Sequence, residues 1–262
     1  MTTYNELAGF RVNYVSSDPT LNSGNEGQVW YNSTSGQLKS LVQIKSWASG
    51  GNLGTARNGL AGAGTQTLSL AFGGSTGTDS NATEEYDGSA WAGGGNMGTA
   101  RRGLAGAGLQ TAGLAFGGKT TDVVDNTEEY DGSAWTAGGS LATARVALGG
   151  AGTQTTGLAF GGETTVNVAN TEEYDGSTWT AGGNLNTARR SLAGCGLQTA
   201  GLAFGGLTTV NVSNTEEYDG TSWTASTALT TARRFLGAAG TQTLALGFGG
   251  YTTAVSAATE QY

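Results

Sequence analysis

From Trp47 onward the chain alternates short apolar stretches with short polar ones, at a spacing too brief for helices. Residues 102–136 show the pattern. Arg102 to Ala107 is small and apolar and closes at a turn near Gly108. Ala112 to Phe116 places Leu114 and Phe116 on one face of an extended segment and Gly113 and Ala115 on the other, the two-residue period of a strand. A polar loop follows Gly117-Gly118, and Thr127 to Tyr130 forms a third segment. Asp131-Gly132 is a hairpin-turn dipeptide, because Gly takes positive φ without a Cβ clash. Ser133 to Thr136, around Trp135, is the fourth strand.

This pattern recurs without an inserted or deleted residue. Trp47, Trp91, Trp135, Trp179 and Trp223 stand 44 residues apart. The same step holds for Tyr86, Tyr130, Tyr174, Tyr218 and Tyr262, and for Arg57, Arg101, Arg145, Arg189 and Arg233. Phe72, Phe116, Phe160, Phe204 and Phe248 keep it too, each followed by Gly-Gly. A strict period in this range marks a repeat architecture. Four short antiparallel strands per repeat predict an all-β, five-bladed β-propeller over residues 43–262. Gly and Ala in the first two strands allow blades to approach near the axis, while Phe, Tyr and Trp fill the wider outer wedge. A linear β-solenoid is the competing architecture, but its coils are usually shorter and need atypical caps.

In each complete repeat Trp follows Tyr by five residues, yet the sequence stops at Tyr262 and an extra Trp stands at position 47. The strand around Trp47 is therefore expected to complete the last blade and remove two exposed edges. In the alternative arrangement Trp47 pairs with the Tyr262 strand of another chain. Upstream, residues 1–25 are polar and read as an extended arm, with one short strand possible from Phe10, Val12, Tyr14 and Val15. Residues 26–42 read as a β-hairpin, with Val29-Trp30-Tyr31 turning through Asn32 to Gly36 into a strand from Leu38 to Ile44.

Composition narrows the chemistry. Glycine makes up 47 of 262 residues, but the glycines follow the repeat and sit among Leu, Phe and Trp, which argues for order over disorder. Net charge is −8 with no basic run, so nucleic acid is not expected as a partner. No apolar stretch approaches the ~20 residues of a membrane helix, and the first residues lack the pattern of a secretion signal. Membrane insertion is not expected. The single cysteine, Cys195, occupies a slot held elsewhere by Ala63, Ala107, Ala151 and Ala239 and reads as a small buried filler.

The repeat resembles the kelch motif: Gly117-Gly118 ending the second strand, Tyr130 in the third, Trp135 in the fourth and Arg145 opening the next unit. That resemblance implies a propeller, although kelch rings more often have six or seven blades and longer units. Residues 16–47, SSDPTLNSGNEGQVWYNSTSGQLKS continuing to Trp47, resemble segments of tail-fibre and other virion proteins of tailed bacteriophages. That second resemblance implies a virion component made in the host cytoplasm, with residues 1–42 docking to other virion proteins and the propeller facing a host glycan or protein. Homo-oligomerisation in the particle is expected. A kelch-type protein-interaction module and a capsid-decorating protein without receptor role are the alternatives.

No catalytic constellation emerges, and no cofactor is expected. The chain has no His, the commonest general base and metal ligand, so kelch-like copper chemistry lacks its ligands. Asp131 precedes Trp135 by four residues, one short of a sialidase Asp box. The recurrent Glu pairs, Glu84-Glu85 to Glu216-Glu217, put neighbouring carboxylates on opposite strand faces. One Arg and one Glu per repeat suggest a ring of charge pairs tying neighbouring units together. Asp122 and Asp125 alone make a thin basis for a Ca²⁺ site.

Variation concentrates in two places. The loop between second and third strands begins with Ser75, Lys119, Glu163, Leu207 or Tyr251. The connection into the first strand varies at Asn58, Arg102, Val146, Arg190 and Arg234. Strand alternation puts both on one rim, opposite the Asp-Gly turns. This rim is the candidate binding surface, with Lys119 and Tyr251 as anchors. Neutral drift of exposed residues is the competing explanation.

Overall fold

The computed structural model describes residues 3–7, 10–19, 29–40 and 49–262. Trp47 and the strand expected around it lie outside the described residues, as do positions 41–44 of the expected hairpin strand. The chain separates into two compact units, Met1–Ser49 and Gly50–Tyr262. No helix occurs among the described residues.

The N-terminal unit is a sheet of β1 (Thr3–Leu7), β2 (Phe10–Val15), β3 (Val29–Asn32) and β4 (Gln37–Ser40), in that order. The arm expected over residues 1–25 thus contributes two paired strands, and β2 runs parallel to β3. Asp18 holds the sheet's polar end: it accepts hydrogen bonds from Trp30 Nε1 at 2.9 Å, Asn32 Nδ2 at 2.8 Å and Lys39 Nζ at 2.7 Å. These partners, Asn32 foremost, hold its carboxyl far below the usual carboxylate range.

The second unit contains five successive antiparallel sheets. The first is β5 (Ala61–Gly64), β6 (Ser69–Phe72), β7 (Thr83–Tyr86) and β8 (Trp91–Gly93). The second is β9 (Ala105–Leu109), β10 (Ala112–Phe116), β11 (Thr127–Tyr130) and β12 (Trp135–Ala137). The third is β13 (Gly149–Gly152), β14 (Gly157–Phe160), β15 (Thr171–Tyr174) and β16 (Trp179–Ala181). The fourth is β17 (Ala193–Leu197), β18 (Ala200–Phe204), β19 (Thr215–Tyr218) and β20 (Trp223–Ser226). The last has three strands, β21 (Gly237–Gly240), β22 (Ala245–Phe248) and β23 (Thr259–Gln261). In the second sheet β9 passes through Gly108 and the chain reverses at Gln110-Thr111, slightly later than the sequence suggests.

First strands pack side by side, β5 on β9, β9 on β13, β13 on β17 and β17 on β21. Glycine is required there: a Cβ on Gly106 would lie 2.6 Å from Phe72 Cζ and 2.8 Å from the Gly62 carbonyl. Phe72, Phe116 and Phe160 are completely buried between sheets. Each takes a Trp from the following sheet, with Phe116 and Trp179 ring centroids 4.9 Å apart at 56°. The same indoles donate Nε1 to a Thr of the preceding sheet: Trp135 to Thr83, Trp179 to Thr127 and Trp223 to Thr171, each at 2.9 Å. Between the fourth and last sheets a cavity of about 160 Å³ is bordered by Phe204, Thr215 and Tyr262, the residue types that contact the indoles in the earlier sheets.

The buried Arg–Glu pairs do not tie neighbouring sheets together. Arg145 binds Glu172 of its own repeat at 2.9 Å and donates to the carbonyls of Gly161 and Asn170 at 3.0 and 2.6 Å. The second Glu172 oxygen accepts from the Ala142 amide at 2.6 Å, so the pair locks the incoming connection onto its sheet. The other Glu of each couple bridges sheets, because Tyr130, Tyr174 and Tyr218 donate to Glu85, Glu129 and Glu173. Glutamines add a second bridge: Gln110 Nε2 reaches the Ser69 and Tyr86 carbonyls at 3.0 and 2.7 Å, and Gln154, Gln198 and Gln242 repeat this.

Candidate functional site

The variable rim is built by the Gly-Gly pair. Gly73 and Gly74 have φ of 68° and 98°, the left-handed region that L side chains avoid, and a Cβ on Gly74 would meet the Asn58 carbonyl at 2.8 Å. The chain therefore turns tightly against the connection, and the next residue pairs with it. Isolated bridges join Asn58 to Ser75, Arg102 to Lys119, Val146 to Glu163, Arg190 to Leu207 and Arg234 to Tyr251. All ten candidate rim residues thus meet in five backbone-bonded couples.

Their side chains are less open than loop tips would be. Ser75 is buried, Asn58 exposed and the other eight half-buried. In the same loops Val166, Val210 and Val255 are open apolar residues, at 64%, 65% and 89% exposure. Their position in the middle of a polar loop is the signal that identifies them.

Here the arginines do cross between sheets. Arg102 pairs with Asp79 of the preceding repeat, and Arg190 with Glu163 at 2.7 Å. Arg234 instead donates to Asn211 Oδ1 at 3.2 Å and has no carboxylate partner among the described residues. Its guanidinium carbon lies 4.7 Å from the Tyr251 ring centroid and 5.6 Å from that of Phe235. One of the two expected anchors, Tyr251, thus already carries a cation on its ring; Lys119 forms no ion pair among the described residues. The two anchors belong to different repeats.

Below the couples a second row of backbone hydrogen bonds runs from repeat to repeat. Gly103 donates to the Gly59 carbonyl, Ala147 to Gly103, Ser191 to Ala147 and Phe235 to Ser191, at 2.7–2.9 Å. All five residues have positive φ, and Ala147, Ser191 and Phe235 hold it at 54°, 54° and 57° without being glycine. Next to them Leu60, Leu104, Leu148, Leu192 and Leu236 line a cavity of about 300 Å³ reached by every repeat.

The opposite rim carries the Asp-Gly turns. Asp87 Oδ1 accepts the Ser89 and Ala90 amides at 2.8 Å, and Asp131, Asp175 and Asp219 repeat the arrangement. These bonds, the Ala90 and Thr178 amides first, hold Asp87 and Asp175 down to about 2. No cluster of three or more His, Cys, Asp or Glu exists among the described residues, and Asp122 and Asp125 are both exposed. Cys195 is buried, with its thiol pushed up to about 11 by desolvation.

No protein-family model matches this chain, and no curated protein sequence shows significant similarity to it.

Proposed function

We propose that the repeats form a five-bladed propeller closed by the strand around Trp47, serving as a non-enzymatic recognition scaffold whose variable rim is the contact surface. The observation that carries this reading is the set of five bridged couples. Residues differing in charge, size and polarity stand at identical places on a frame that otherwise repeats almost unchanged. A rigid frame with variable positions at one end suits recognition. Its buried charges are occupied in holding connections and sheets, which supports a binding role over catalysis.

Closure is supported by the path of residues 50–57. A Cβ on Gly50 would meet the Tyr86 hydroxyl at 3.0 Å, as one on Gly94 would meet Tyr130 at 2.8 Å. Arg57 binds Glu84 at 3.0 Å as the later arginines bind theirs. In the later repeats the three residues before this path are the outer strand of the preceding sheet, and Trp47 stands where that strand would begin.

The particle setting, a bacteriophage tail fibre or similar appendage docked through residues 1–42, is supported by the resemblance of residues 16–47 to virion segments. Kelch kinship is supported by the Gly-Gly, Tyr, Trp and Arg spacing. The test is adsorption: particles carrying Lys119→Ala and Tyr251→Ala together should bind host cells less well. Unchanged adsorption, with binding lost after edits to the Asp-Gly turns, would place recognition on the opposite rim. Absence of the protein from purified particles would favour a free interaction module.

A further inference from the structure

We infer that Arg234, Phe235 and Tyr251 of the last repeat form a binding site for a carboxylate-bearing sugar unit, such as a uronic acid within an acidic polysaccharide. This rests on the reading of the variable rim as a contact surface, and it concentrates recognition in one repeat. The five repeats are nearly equivalent, so a place where one departs in several coupled positions calls for a reason. Where the last repeat has Phe235, the others have Gly59, Gly103, Ala147 and Ser191; where it has Tyr251, they have Ser75, Lys119, Glu163 and Leu207. Only here do two aromatic rings flank the rim residue.

Phe235 is unfavourable for folding on two counts. Its φ of 57° is a conformation that bulky residues avoid, and its ring is 64% exposed. Glycine stands at this place in the first two repeats, and Gly103 makes the same backbone hydrogen bond, to Gly59, without strain. A strained, exposed aromatic side chain at the mouth of a cavity suits contact with something outside the chain.

Arg234 supplies the charge. The rim's other arginines are neutralised by Asp79 and Glu163, whereas Arg234 has no carboxylate beside it among the described residues, only the neutral Asn211 and the Tyr251 and Phe235 rings. Asn211 is itself fixed, donating Nδ2 to the Tyr251 and Thr252 carbonyls at 3.1 and 2.8 Å, so the guanidinium is held in place. In a chain of net charge −8, a positioned guanidinium without a carboxylate is an anion-binding group. An aromatic face beside it takes the apolar side of a pyranose, as aromatic side chains do in sites with one dry and one polar end. Charge plus ring face selects an acidic sugar over a neutral one, and over an acidic peptide that would need only the charge.

The test uses the full chain and hexagalacturonate as probe, with maltohexaose and hexaglutamate as comparisons, read by calorimetry and amide chemical shifts. Hexagalacturonate should bind, maltohexaose at least about tenfold more weakly, and Arg234→Gln should remove about a tenfold share of the affinity. Phe235→Gly should weaken binding while raising the melting temperature, a combination that a purely structural residue would not give. Equal binding of hexaglutamate would reduce the site to a charge patch and overturn the sugar assignment. Binding that survives Arg234→Gln and Phe235→Gly but is lost in Lys119→Ala would overturn this site and leave the rim reading intact. No binding of hexagalacturonate would overturn the proposal; only loss of the rim's effect on adsorption would also remove the reading beneath it.

Discussion

The indole N–H of Trp179 donates to Oγ1 of Thr127 at 2.9 Å, across the interface between consecutive sheets. Trp179 begins the outer strand of its sheet, and its ring packs on Phe116 of the sheet before. Replacing Thr127 with Val keeps the volume but leaves a buried N–H without an acceptor. The expected cost is about 1–3 kcal/mol, measured by urea unfolding. A smaller loss for Thr127→Ser than for Thr127→Val would assign the effect to the hydroxyl.

Arg145 is completely buried and Glu172 nearly so. Desolvation pulls the Arg145 guanidinium down from its ordinary value, and Glu172 opposes that shift. Breaking a buried pair from one side strands the other charge, so Arg145→Ala should destabilise by about 3–5 kcal/mol. The double change Arg145→Met with Glu172→Leu should cost clearly less than Arg145→Ala alone.

Burial, reinforced by Glu85 and Glu129, pushes the Tyr130 and Tyr174 hydroxyls up to about 12. Their folded values lie above the unfolded ones, so the stability they contribute is complete below about pH 10 and is lost as pH rises towards 12. Phenolate absorbance of the native protein should therefore lag behind that of the urea-unfolded chain across this window. Coincident curves would contradict the buried hydroxyl contacts.

Asp87 and Asp175 behave in the opposite sense. Their folded values, about 2, lie below the unfolded carboxylate range, so their contribution is complete above about pH 4 and disappears as pH falls through 2. Carboxyl ¹³C shifts should show both titrating below the ordinary aspartate range.

Much of this arrangement is written in the 44-residue step. Glycines that admit a neighbour, aromatic residues that fill the wedge and the Asp-Gly turns all act through local geometry, and each predicts its own strand or loop. Relationships between sheets were harder to read. The Arg–Glu partners are 27 residues apart within one repeat, and spacing alone does not tell that from pairing with a neighbouring unit. Gln66, Gln110, Gln154, Gln198 and Gln242 keep the step as strictly as Trp, but a polar residue in a turn looks solvent-facing until the next sheet is in place. Phe235 gave no sign of itself, because its significance lies in a backbone angle that the sequence does not record.

Closure of the five repeats by the strand around Trp47 would bring that strand beside the Tyr262 end of the last sheet. In the fourth sheet Glu217 pairs with Thr224, and by the 44-residue step closure would pair Gln261 with Ala48. The measurement is disulfide formation in Ala48→Cys with Gln261→Cys, in a chain whose native thiol is removed by Cys195→Ala. Dilute oxidation should give a monomer with no free thiol and a bridge within one chain. Two free thiols, or bridges only between chains, would contradict closure by this strand.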